Sequence, residues 1–160
     1  MRIFRNLKKS RQLQLTAQFP NLYDLACIEK FEDYHFLAVA VFDHWLTRGE
    51  YCEDRPSKDE DQIRFNLLMG EETELINFRF RGSGIRPYPL FREFTSDESK
   101  ESYIQSRGYS SKNFRRLVLP DLGAVYFESW DYTNVFYLRD VKASIKIEEW
   151  ARRVGVHCLE

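Results

Sequence analysis

The stretch Leu117–Tyr137 reads Leu-Val-Leu-Pro-Asp-Leu-Gly-Ala-Val-Tyr-Phe-Glu-Ser-Trp-Asp-Tyr-Thr-Asn-Val-Phe-Tyr. Strand-like runs stand at Leu117–Leu119, Ala124–Ser129 and Asn134–Leu138, parted by turn formers. The last two runs carry large apolar residues on both faces, the pattern of strands covered on two sides. Asp131–Thr133 joins them, so an antiparallel hairpin is predicted. Two acids, Glu128 and Asp131, stand among its aromatics, and a buried acid needs a partner. Glu128 is expected to meet an arginine, a lysine or a tyrosine hydroxyl of an adjacent element.

Before this hairpin, Glu74–Phe80 alternates. Ile76, Phe78 and Phe80 point one way; Asn77, Arg79 and Arg81 point the other, as in a half-buried strand. Gly82-Ser83-Gly84 ends it, and Pro87 and Pro89 predict irregular backbone through Leu90. Ser96 is an N-cap, with Asp97 and Glu98 in the first turn of a helix ending near Gly108. After the hairpin, Ile147, Trp150, Ala151 and Val154 recur at helical spacing from a start near Asp140, and Gly155 signals the end. Helices are expected to dominate the first half. Arg2–Ala17 reads as a helix followed by a strand, or as one helix. Asn21 caps a helix bearing Leu22, Leu25, Ala26 and Ile28, with Cys27 as a small core residue. The apolar run Phe36–Phe42 is read as helix to Leu46, with Gly49 as its stop. Tyr51–Asp61 reads as loop. Ser57-Lys-Asp-Glu60 is a capping box opening a short helix that buries Ile63, Leu67 and Leu68 and closes at Gly70. The fold predicted is a single α+β domain over residues 1–160: a small, mainly antiparallel sheet with helices packed on it and the C-terminal helix docked on the sheet.

Composition narrows the function classes. The 160 residues include 43% hydrophobic and 16% aromatic side chains, enough for a core. The longest apolar run has seven residues, against about 20 for a spanning helix, so no membrane partner is expected. Cys27, Cys52 and Cys158 lie far apart with no metal spacing. A reduced, cytoplasmic protein with free thiols and no metal is expected. Net charge is -1, but residues 21–74 carry fourteen acids against five bases, and residues 75–116 nine bases against four acids. Zones of opposite sign that meet on the surface account for this, or one basic face that serves an anionic partner.

Catalytic signatures are missing. GxSxG, SxxK and HExxH do not occur. The Gly82–Gly84 turn is too short for a phosphate loop, and no cofactor is expected. His35 and His44 are nine apart, not the spacing of a helical metal site, and His157 lies near the C-terminus. Glu128 with Asp131 is the one carboxylate pair an unfamiliar small enzyme would use. Its structural alternative is an ion pair for Glu128 and a backbone turn for Asp131. The segment 78–116 interleaves arginines with rings, among them Arg79, Arg81, Arg86, Tyr88, Arg115 and Arg116, as an RNA or single-stranded DNA binder would. Strand alternation explains the same pattern, and a pI of about 6.3 is low for that role. Arg, Tyr and Trp also dominate protein interfaces. The chain is therefore read as a non-catalytic protein-binding module, an inhibitor- or immunity-like protein or a dimerising subunit. Its partner would be another protein or itself, met through Arg79, Arg81, Arg86, Tyr88, Glu128 and Asp131.

Overall fold

The computed structural model describes the chain apart from residues 1, 29–31, 48, 50–55, 83, 85–86, 107–114, 130–131 and 160; of Ile28 and residues 56–59 it describes only the backbone. The strands are β1 (Phe4–Asn6), β2 (His35–Ala40), β3 (Ile76–Arg81), β4 (Tyr88–Phe94), β5 (Arg116–Leu119), β6 (Ala124–Glu128), β7 (Thr133–Leu138) and β8 (His157–Leu159). The helices are α1 (Lys9–Gln18), α2 (Pro56–Glu72), α3 (Asp97–Gln105) and α4 (Ala143–Val154), and a π-helical turn spans Asp24–Ile28. The strands form one antiparallel sheet in the order β1-β4-β3-β5-β6-β7-β2-β8. This is the α+β architecture that the order of elements predicts.

Strand alternation sorts the core into two layers. On one face, Leu37, Leu117, Tyr126 and Phe136 pack against Phe65 and Met69 of α2, Ile104 of α3, and Ile147 and Trp150 of α4. On the other, Ile76, Phe78, Phe91, Val118 and Val125 pack against Leu15 and Phe19 of α1 and against Leu22 and Leu25. The predicted hairpin forms: Ala124–Glu128 registers with Asn134–Leu138, and a Ser129 N–H donated to the Thr133 carbonyl at 3.0 Å closes the loop. The predicted face of α4 is buried at Ile147, Trp150 and Ala151, and Gly155 caps it in the left-handed region with φ 85°. Ser96 Oγ accepts the Ser99 N–H at 3.0 Å, the predicted N-cap of α3. Ser96→Ala is expected to lower stability by about 1 kcal/mol, read as a shifted denaturant midpoint.

Several local expectations are overturned. The run read as a helix from Phe36 is β2, hydrogen-bonded to β7 along six residues and to β8 along three. It is apolar throughout because both its faces are covered from Leu37 to Ala40, and a run this short carries no period that separates helix from strand. The N-terminus is a strand followed by a helix. Phe4 registers with Phe94 and packs on Tyr103, while Leu13, on the segment read as a strand, is 63% exposed on α1.

Proline 89 sits inside β4 without cost. Phe91 turns its backbone away from β3: its N–H donates to Gln12 Oε1 at 2.8 Å, and its carbonyl accepts from the Leu7 N–H at 3.2 Å. Pro89, two residues earlier, aims its nitrogen the same way, beyond the end of β1, where a sheet needs no donor.

Helix α2 begins at Pro56, inside the predicted loop; a proline is favoured in a first turn, where amides lack intrahelical partners. The capping side chains proposed at 57–59 lie outside the described residues. Gly70 does not end α2. It is buried within it, where an added Cβ would stand 3.0 Å from Ile104 Cδ1, so the small residue admits α3. Phe65 and Met69 are the deeply buried apolar side chains of α2; Ile63, Leu67 and Leu68 are half-buried. Asn21 adopts φ 57° and donates its side-chain amide to Asp33 at 2.8 Å instead of capping a helix. Cys27 is exposed, not a core residue. His157, near the C-terminus, is tied into β8 opposite Ala40.

Candidate interaction surface

The β3–β4 hairpin assembles the arginines. Register places Arg81 opposite Tyr88, Arg79 opposite Leu90 and Asn77 opposite Arg92, so all six side chains leave the same face of the sheet. It is the face on which α3 packs, because Phe94 lies on it and contacts Tyr103 at 5.3 Å between ring centroids. Arg79 and Arg81 are exposed, two residues apart, hence about 7 Å along the strand. Neither is in an ion pair with any described residue.

Arg92 is fixed. Its Nε donates to Asn77 Oδ1 at 2.9 Å, and its guanidinium lies 4.4 Å from the centre of the Phe4 ring. Asn77 is held in turn by donating to the Arg116 carbonyl at 3.2 Å. Burial first, then the nearby positive charges of Arg79 and Arg81, bring the Arg92 guanidinium below its ordinary value. Three cations thus share a surface on which their charges repel. Tyr88 is 58% exposed and its ring passes over Gly82, whose φ of 117° and missing Cβ permit the approach. Arg86 and Asp131, singled out from the sequence, lie outside the described residues.

Glu128 belongs to a different place. Its carboxylate is paired with Arg115, which stands just before β5, and both side chains are almost fully buried, at 2% and 5% exposure. Arg115 also donates to the carbonyls of Tyr103 at 2.8 Å, Ile104 at 2.9 Å and Ser106. It thereby satisfies the C-terminal end of α3, where carbonyls lack helical partners and the dipole favours a cation. The Tyr103 hydroxyl beside it is pushed up to about 12, by burial against the opposing pull of Arg115. The acid singled out in the hairpin therefore ties β6 to α3.

A polar network that sequence reading missed adjoins this pair. Tyr126 Oη and Gln62 Nε2 both donate to Asn134 Oδ1, at 2.8 and 2.9 Å, and Asn134 Nδ2 donates to Asn66 Oδ1 at 2.8 Å. All four side chains are buried. Burial holds the Tyr126 phenol well above its usual range. The legible signal was Gln62 and Asn66, four apart on one face of α2 among apolar neighbours.

Of the other described arginines of the segment, Arg115 is buried against Glu128 and Arg116 stands apart from Arg79 and Arg81. Arg116 registers with Phe127 on the opposite face, 5.8 Å from the Phe80 ring centre. Phe78 and Phe80 also lie on that opposite face. Phe78 and Phe80 are thus separated by the sheet from Arg79 and Arg81, with which they alternate in sequence. Gly82 and Gly84 precede a strand, not the helix a phosphate loop requires. The Asp43–His44 contact at 2.7 Å is exposed, and no described residues form a group that could hold a metal ion. Among the described residues no helix is long and apolar enough to cross a membrane.

The chain is an eight-stranded antiparallel α+β protein with an arginine-bearing hairpin face. Compared with protein-family models, curated proteins and solved structures, it matches none.

Proposed function

We propose that the protein is a non-catalytic intracellular binding module that receives an acidic protein surface on Arg79, Arg81, Arg92 and Tyr88. One observation carries the reading: two exposed arginines without a carboxylate partner among the described residues stand beside a third that is held by Asn77. Arginine and tyrosine contribute disproportionately at interfaces, and a preordered cation loses little freedom on binding. The burial of Glu128 against Arg115 favours a binding role over the small-enzyme reading, since an acid–base residue must reach a substrate proton. An exposed thiol at Cys27 suits a reducing compartment.

Nuclear magnetic resonance titration of the labelled protein tests this. A glutamate-rich peptide is expected to shift amides of residues 77–81 and 88–92. R79E/R81E should weaken that binding at least tenfold with an unchanged thermal midpoint, because both sites are exposed. Absence of shifts there would overturn the proposal. Tighter binding of a single-stranded RNA, with a steep salt slope, would replace it with the nucleic-acid reading.

A further inference from the structure

The surface carrying the arginines continues into a surface of opposite sign. The chain passes from β4 through Thr95-Ser96 directly into α3, which packs on the same face of the sheet. Its first turn lies at the Phe94 end, tied down by Thr95 Oγ1 and Ser99 Oγ at 3.0 Å. Its last turn reaches Arg115, whose guanidinium lies 5.2 Å from the centre of the Tyr103 ring, while that ring also packs on Phe94. Arg79 and Arg81 lie toward the opposite end of the hairpin from Phe94.

At the opposite end of this strip stand Asp97, Glu98 and Glu101, all exposed and none in an ion pair with a described residue. Among the described residues Glu101 accepts from the Gln105 amide, at 3.2 Å. Lys100, the one cation of α3, is turned inward and donates its Nζ to the Gly70 carbonyl of α2 at 2.6 Å. Lys100 acts electrostatically on Asp97 and Glu74, and Glu98 and Glu101 make no ion pair with a described cation. Strand rise puts the Phe94 end of β4, where α3 starts, about 20 Å from the Arg81–Tyr88 end. One continuous strip thus carries carboxylates at one end and arginines at the other.

A strip with that polarity is complementary to itself after a half-turn. Resting on the reading of Arg79, Arg81 and Arg92 as a site for an acidic protein surface, we infer that the partner is a second copy of this chain. Two copies pair antiparallel about a two-fold axis, and the arginines of each meet Glu98 and Glu101 of the other. A two-fold pairing places the contact twice, doubling a charge complementarity that would be weak in one copy. The tyrosine at position 88 lies at the basic end, where an exposed ring finds an apolar contact on docking. The interface is small and charged, so the dimer is a reversible one that salt loosens.

Analytical ultracentrifugation of the full chain at low and high salt tests the pairing through charge exchange. Wild type is expected to form dimers at low salt, with dissociation roughly tenfold or more easier at ~500 mM salt than at ~50 mM. R79E/R81E and E98K/E101K are each expected to be monomeric, because each brings like charges together. Mixed one to one, the two variants should form a heterodimer, and the four-fold variant should regain the homodimer. Circular dichroism melts confirm that each variant is folded, and if E98K/E101K is not, the four-fold variant alone decides the matter. A wild type that stays monomeric at ~50 mM salt overturns the inference, as does a dimer that survives both reversals or a mixture that does not pair. The peptide titration remains separate: a monomer that still binds the acidic peptide through β3 and β4 loses this inference and keeps the broader function.

Discussion

Glu128→Leu is expected to destabilise the protein by about 3–5 kcal/mol, because it leaves the Arg115 guanidinium buried without its counter-charge. The reverse change, Arg115→Met, should cost at least as much. It strands the Glu128 carboxylate and also leaves the carbonyls of Tyr103, Ile104 and Ser106 without their donor. The double variant should recover the part of each loss that comes from a stranded charge, since two apolar side chains need no counter-ion, but not the part due to the three carbonyls left without Arg115. The asymmetry between singles and double separates a buried ion pair from a solvated one, and Glu128→Gln should fall between wild type and Glu128→Leu. Urea melts of the four proteins give the coupling directly. Singles within about 1 kcal/mol of wild type, or effects that simply add, would mean that water reaches the pair.

Trp150→Ala is the second large effect, again about 3–5 kcal/mol. The indole is fully buried, edge-on to Phe65 at 6.3 Å, in the layer where α2 and α4 meet the sheet. Removing it opens a cavity between three elements that cannot all close in. The same helix supplies its own control. Ile145 is also large and apolar but is 65% exposed, so Ile145→Ala should shift the midpoint by no more than about 0.5 kcal/mol. If the two variants melt alike, α4 does not dock through the face its periodicity marks.

The candidate surface owes its position to ordinary sheet geometry. Arg79 and Arg81 alternate with Phe78 and Phe80, so burying the rings forces the arginines outward on the opposite face. Asn77, also on that face, is buried and anchors Arg92. A strand can thus present one end of a face to a partner while the other end is packed.

How much of this was legible beforehand depended on where the determining interactions lie. The alternation of Glu74–Phe80, the two-faced apolar runs of β6 and β7, the Ser96 cap and the stripe of α4 are local signals, set by neighbours within a few residues, and all four are present in the fold. The need of Glu128 for a partner, an arginine, a lysine or a tyrosine hydroxyl, also followed from its apolar setting in the chain. Tertiary structure decided the rest. The strand identity of β2 depends on pairing with β7, about a hundred residues away, and with the C-terminal β8. The tolerance of Pro89 depends on how short β1 is. The choice of Arg115 for Glu128, the separation of Arg116 from Arg79 and Arg81, and the alignment of acidic α3 with basic β3 are set by register and packing across the sheet. Local propensity reports what a segment prefers alone, and these residues are fixed instead by partners that only the folded chain brings within reach.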